Sequence, residues 1–241
     1  MIKAFLALAG LALLLPPAAD ARAAKPARSK TMAKTASKTA RSKPVTKPAA
    51  PALAPSAETM RVADWIAASK DNHALPYAVI DKNAASLFLF DAKGKPLGSA
   101  PVLIGIALGD EASPGVGSKN LAEIGPAEKT TPAGRFLAKF GLAAGKERVL
   151  WVDYATSVAL HPIPAGASKK ERRTARMWSP SPDDNRITFG CINVTAAFFG
   201  KAVRPLFQKK GGYVYVLPDT KPLETVFPRL RVQALMDAAA R

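Results

Sequence analysis

The sequence predicts a mainly β fold with a few helices, and two observations carry that reading. Stretches rich in β-branched and aromatic residues outnumber stretches with helical spacing. They also follow one another without the strand–helix–strand rhythm that builds a parallel sheet, and no internal repeat stands out. With 241 residues, 48% of them hydrophobic, the chain is long enough for one domain with a real core plus flanking segments.

In chain order, Lys3 precedes an apolar stretch, Phe5 to Leu15, which is too short to span a bilayer as a stable helix. Ala21-Arg22-Ala23 follows, the small-x-small pattern that a signal peptidase accepts, so residues 1–23 read as a secretory signal. An uncleaved N-terminal anchor is the alternative. Residues 24–57 are Lys, Ala, Pro, Ser and Thr with scarcely any large apolar residue, and Lys25, Arg28, Lys30, Lys34, Lys38, Arg41, Lys43 and Lys47 make them basic. Such a segment cannot bury enough apolar surface to offset its ordering entropy and is expected to be disordered. It reads as a spacer, or more sharply as a tether to anionic envelope polymer or lipid.

The folded part is expected over 58–241. Met60, Val62, Ala63, Ile66 and Ala67 give Thr59 to Ser69 the spacing of a short amphipathic helix. Strands are predicted at Tyr77 to Asp81, at Ser86 to Phe90 and, after the turn Asp91-Ala-Lys-Gly94, at Ser99 to Ile106. Gly109 to Arg135 is rich in Gly and Pro and reads as a long loop, of the kind that is usually functional or mobile. Val149 to His161 is β-rich again. The stretches Ser168 to Arg176 and Ser179 to Asn185 read as a basic surface insertion. Thr195 caps a helix over Ala196 to Val203 with Ala196, Phe199 and Val203 on its apolar face. Gly211-Gly212 turns into a strand at Tyr213 to Leu217, and the tail from Leu223 is helical, started or interrupted at Pro228.

Lys+Arg 35 against Asp+Glu 18 gives a net charge of +17, which favours polyanionic partners. Export removes chromosomal DNA from that list, so no nucleic-acid partner is expected. After signal removal no remaining stretch is long and apolar enough to span a membrane, which places the mature protein in the periplasm or cell envelope.

The chain contains one cysteine. In an oxidising compartment a lone thiol cannot staple the fold, so Cys191 is either a small buried residue or one kept for its reactivity. Gly190 directly before it permits a sharp turn that exposes the sulfur and aims backbone N–H groups at one point, as an oxyanion hole requires. A thiol nucleophile also needs a base, and the chain has two histidines. His73 sits in a polar turn, Asp71-Asn-His-Ala, and reads as a surface residue. His161 ends the apolar run Ser157-Val-Ala-Leu-His161, where its ring can face a cleft. One Cys and two scattered His make a metal site improbable, and no phosphate-cradling Gly loop is present, so no cofactor is expected.

Thr188-x-Gly-Cys-Ile-Asn193, preceded by a His at a strand end, resembles the signature of the L,D-transpeptidase catalytic domain (YkuD-like family). Thr130-Thr-Pro-Ala-Gly-Arg-Phe136 is similar to a second family feature, a Thr-Pro-x-Gly-x-Phe run upstream of the site. The resemblance covers about Tyr77 to Pro218. It implies a β-sandwich or barrel-like catalytic domain in which Cys191 attacks a peptide carbonyl of peptidoglycan stems and His161 acts as general base. It further implies that N–H groups near Gly190 and Cys191 hold the oxyanion, that Thr188 and Asn193 fix the turn at the substrate site, and that a backbone carbonyl just after His161 orients the imidazole. Family members often carry His before the Gly; here Phe189 stands in its place and reads as a pocket wall. The gap from His161 to Thr188 is longer than usual and is filled by the basic insertion, a lid or partner surface. Some of Lys169, Lys170, Arg172, Arg173 and Arg176, with Arg186, are candidates to bind a stem-peptide carboxylate. The thioester would pass to an amine, forming a crosslink, or to water, making the enzyme an L,D-carboxypeptidase. A catalytically inert wall-binding module is the third reading.

Overall fold

The computed structural model describes residues 53–143, 146–167 and 169–232. The signal expected over 1–23, the linker as far as residue 52, Ser168 of the insertion and the tail beyond residue 232 lie outside the described residues.

Helix α1, Ala57–Ser69, begins two residues earlier than its apolar spacing indicated, because Ser56 caps it: the Thr59 N–H donates to Ser56 Oγ at 3.1 Å. Ser56 in turn donates to Asp81 at 2.6 Å, tying the helix start to the end of a strand. Its buried face is Thr59, Val62, Ala63, Trp65 and Ile66; Met60, expected on that face, is half-exposed and Trp65 takes the place.

Ten strands follow: β1 Tyr77–Asp81, β2 Ser86–Phe90, β3 Pro96–Pro101, β4 Ile104–Gly105, β5 Gly134–Leu142, β6 Arg148–Asp153, β7 Val158–Pro162, β8 Arg186–Thr188, β9 Ile192–Val194 and β10 Gly212–Val216. Eight form one sheet in the order β3-β2-β1-β10-β5-β6-β7-β9, and β4 pairs with β8 apart from it. The pairings β1–β10 and β7–β9 are parallel, the rest of the large sheet antiparallel. Its two edges approach each other just past β3, where Leu103 and Asn193 of β9 exchange N–H···O bonds of 3.0 and 2.8 Å. The sheet is therefore nearly closed and barrel-like, and the expectation of a mainly β fold holds.

β1 and β2 lie where the sequence put them. The run read as one strand over Ser99 to Ile106 is split, because Val102 donates to Ala85 and Leu103 to Asn193, which turns the chain out of β3 and into β4. β5 was missed: Lys, Ala and Gly are poor β residues, and pairing with β10 and β6 holds them extended.

Both faces of the middle strands are covered. Ala78, Ile80, Leu87, Leu89, Val214 and Val216 face one core with Leu150, Leu160, Ile192 and Phe199. The alternating Tyr77, Val79, Phe88, Phe90, Tyr213 and Tyr215 face a second core closed by α1 and by Leu223 and Phe227. Two-sided burial explains why β1, β2 and β10 are buried at every position.

The predicted cap at Thr195 is present, accepting from the Phe198 N–H at 3.2 Å. Helix continues from it through Ala196–Phe198, a wide π-type stretch Phe199–Val203, and Arg204–Phe207. Pro205 has no N–H to give the carbonyl of Lys201, which accounts for the widened turn before it. Phe199 and Val203 are buried as expected, whereas Ala196 is exposed. A further short helix, Leu223–Val226, stops ahead of Pro228.

The long loop returns as a parallel bridge between Ala107 and Thr130, with short 3-10 turns between. Its base is held by Lys82, which is fully buried and donates to Gly109 O at 2.6 Å, Thr131 O at 2.9 Å and Asp110 at 3.0 Å, with Asp219 at 3.2 Å. Among the described residues no helix is long and apolar enough to cross a membrane.

Candidate active site

Parallel pairing of β7 with β9 puts His161 opposite Asn193. Residues in register share a face, and alternation returns Cys191, two residues before Asn193, to that face. With strands about 4.8 Å apart and a rise of about 3.3 Å per residue, the His161 and Cys191 backbones lie on the order of 8 Å apart.

The turn that presents Cys191 is built by hydroxyls. Thr188 Oγ1 accepts the Gly190 N–H at 3.2 Å and donates to Cys191 O at 2.6 Å. Gly190 has φ +124°, and a Cβ there would meet Thr130 O at 2.7 Å, so the position requires glycine for both backbone shape and space. Thr131 Oγ1 donates to Gly190 O at 2.7 Å and accepts the Gly105 N–H at 2.9 Å. The Thr130-Thr131 pair thus packs directly behind the Gly-Cys turn, which explains why two sequence motifs far apart in the chain go together.

Cys191 is partly exposed, and its thiol donates toward Ser157 O at 3.7 Å. Burial pushes the thiol pKa up, opposed by the Ala159 N–H and by the nearby charge of Arg173. His161 is shifted the other way: burial lowers its pKa, opposed by the Pro162 carbonyl and Glu147, with Arg173 adding to the lowering. Both shifts favour neutral partners. His161 Nδ1 lies 2.8 Å from Pro162 O, the backbone carbonyl just after it, and Nε2 lies 3.2 Å from Asn193 Nδ2.

The remaining expectations are met unevenly. Thr188 and Asn193 are 2% and 0% exposed; Thr188 shapes the turn and Asn193 holds His161. Arg186 forms a pair with Asp219 at 2.7 Å, so its guanidinium is engaged within the chain. Phe189 is partly buried and carries the Lys129 ammonium 3.8 Å from its ring centroid, which puts a positive charge next to the Gly-Cys turn. The basic insertion is not simply a surface feature. Met177 and Asn185 are buried, and Arg173, at the start of the short helix α2 (Arg173–Met177), reaches Asn193. Arg172 and Arg176 instead line, with Lys170 and Asp184, a shallow cavity of about 330 Å³.

Sequence reasoning missed Thr131 as a hydroxyl bridge, Lys129 and the inward course of Arg173. The Thr-Pro-x-Gly-x-Phe run held a signal for the first; nothing in the sequence distinguishes Arg173 from its basic neighbours. His73 lies on Tyr213, ring centroids 5.7 Å apart, and lines a different cavity with Asp71 and Arg135. A roomier apolar cavity of about 550 Å³ between α1 and β2–β3 contains none of the candidate residues. Among the described residues no cluster of His, Cys, Asp or Glu has the makings of a metal site.

No family model and no curated protein sequence matches the chain. Solved structures similar to it include L,D-transpeptidases, the family its motifs resemble. An L,D-transpeptidase from Xylanimonas cellulosilytica shares 15% identity at a TM-score of 0.35, covering 59% of this chain and 60% of that one. The catalytic domain of the E. faecium L,D-transpeptidase gives 15% and 0.35, covering 58% of this chain and 95% of that domain. The helical cell shape determining protein Pgp2 from Campylobacter jejuni gives 14% and 0.41, covering 66% and 56%. The chain therefore spans about 60% of the length of the first of these. Likenesses this distant carry no functional argument.

Proposed function

We propose that this chain is an exported cysteine acyltransferase acting on peptidoglycan stem peptides, with Cys191 as nucleophile and His161 as general base. What supports the reading is the pairing of β7 with β9, which sets His161, its Nδ1 oriented by Pro162 O, opposite Asn193 two residues beyond Cys191 and its glycine turn. Export is supported by the N-terminal pattern of Lys3, Phe5 to Leu15 and Ala21-Arg22-Ala23.

Because both groups rest neutral, the proton moves during attack rather than before it. Sγ bonds to the peptide carbonyl carbon while its proton passes to His161 Nε2, which requires the Asn193 N–H to give way. The carbonyl π electrons move onto oxygen. Since Gly190 donates to Thr188, the N–H of Cys191 itself is the donor left to meet that oxyanion. The C–N bond then breaks as His161 returns the proton to the leaving amine, and a thioester remains. An acceptor amine or water attacks the thioester, His161 takes its proton, and the thiol is restored. The Lys129 ammonium held over Phe189 beside the turn suits a carboxylate on the stem peptide.

Intact-mass measurement of the mature protein mixed with peptidoglycan fragments tests this. Wild type is expected to gain one acyl fragment on Cys191, Cys191→Ala none, and His161→Gln to acylate about 10²-fold more slowly or worse. Adding an acceptor amine separates crosslinking from carboxypeptidase action by the product released. No adduct on the wild type would overturn the proposal and favour an inert wall-binding module; an equal adduct on Cys191→Ala would overturn it by placing the nucleophile elsewhere.

A further inference from the structure

We infer that Arg173 is a positioning residue for the site: through Asn193 it dictates which nitrogen of His161 carries the proton. The argument deepens the proposed function, since it takes His161 as the base, but its geometry stands without it.

The hydrogen bonds form a chain whose direction is set at both ends. Arg173 Nη1 lies 2.9 Å from Asn193 Oδ1, Asn193 Nδ2 lies 3.2 Å from His161 Nε2, and His161 Nδ1 lies 2.8 Å from Pro162 O. A guanidinium only donates, so the Asn193 oxygen must face Arg173 and its amide N–H must face the ring. A carbonyl only accepts, so Nδ1 must carry the hydrogen. Nε2 is then left as the lone pair, which is the state a general base needs. Asn193 is fully buried, so bulk solvent does not reach its amide to compete for these bonds.

Arg173 itself is held in place. Glu171 receives its Nε at 2.9 Å and Nη2 at 3.4 Å, and the Arg173 side chain is 12% exposed. A fixed planar fork can grip Glu171 with one edge and Asn193 with the other, which a lysine could not do. A proton on Nε2 would face the Asn193 N–H, and turning the amide over would set its N–H against Arg173. The arrangement thus penalises the imidazolium at rest. The charged groups facing His161 are Arg173 from the insertion and Glu147 from the turn before β6. This assigns a role to a segment that looked like a solvated basic surface.

The test uses the full chain labelled with ¹⁵N-histidine, in which only two imidazoles report, His73 and His161, and His73→Gln assigns them. Wild type is expected to show His161 as the Nδ1–H tautomer at neutral pH. Arg173→Met is expected to bring in the Nε2–H tautomer and to move the His161 midpoint upward by roughly one pH unit, since both a positive charge and the lock are lost. Glu171→Gln, at a more exposed position, leaves the bond to Asn193 while removing the compensating negative charge, and is expected to move the midpoint downward. A wild-type tautomer and midpoint in Arg173→Met overturn the inference. Where that variant does not fold, an unchanged or raised midpoint in Glu171→Gln overturns it. The imidazole spectrum is read without substrate, so loss of this inference and loss of the acylation reading are told apart by whether the wild type still forms its Cys191 adduct.

Discussion

Burial acts on Cys191 and His161 in opposite senses, raising the thiol and lowering the imidazole, and so favours the neutral form of each. This has a direct consequence for pH dependence. As the proposed base His161 would work while unprotonated, and it stays unprotonated to lower pH than an ordinary imidazole at 6.5. Acylation of Cys191 is therefore expected to stay level as pH falls through 6.5 and to decline only below it. Iodoacetamide labelling without substrate is expected to be slow at neutral pH and to rise only above pH 9.0, the ordinary thiol value. Mass spectrometry of the single cysteine reads both; an acidic limb above 6.5 or fast labelling at pH 7 contradicts the neutral pair. At this scale the sequence was most legible in Gly190, Cys191 and His161, where geometry leaves few residue types possible. It was least legible in Arg186, whose partner Asp219 lies far along the chain.

The loop between β4 and β5 shows how elements reach the site. Its base is pinned by Lys82 at the end of β1, whose ammonium serves Asp110, Asp219 and two carbonyls. Burial works against a charged Asp110, yet N–H groups of Asp219 and Lys221, with Lys82 and Thr220, hold its carboxyl well below the usual range. Removing one partner of such a buried set leaves carboxylates uncompensated. Lys82→Met is therefore expected to cost about 3–5 kcal/mol in urea unfolding, far more than an exposed Lys93→Met, within about 0.5 kcal/mol of wild type. A Lys82→Met protein as stable as wild type would show that the cluster does not hold the loop. Element reading from the sequence worked where local chemistry decided, at β1, β2 and the Thr195 cap. It failed at β5, which pairing alone keeps extended.

The whole molecule is organised by the approach of the two sheet edges, where Leu103 and Asn193 exchange backbone bonds. The same Asn193 holds His161, so closure of the sheet and arrangement of the site share a residue. Leu103 is fully buried at that junction. Leu103→Ala is expected to lower unfolding free energy by about 2–5 kcal/mol in one transition, with fluorescence and circular dichroism coinciding. Two separate transitions would mean that the edges close independently of the remaining sheet.

What the sequence determined by itself was local: a mainly β chain, the two strands β1 and β2, a helix cap, a position that requires glycine, and a thiol and an imidazole worth pairing. These follow from backbone sterics and side-chain chemistry within a few residues. The tertiary structure alone decided which charges are engaged and which face inward. It put Arg186 against Asp219, Lys129 over Phe189 and Arg173 on Asn193. The reason is physical: a guanidinium's role depends on the acceptor within about 3 Å of it, and strand pairing brings that acceptor from anywhere in the chain.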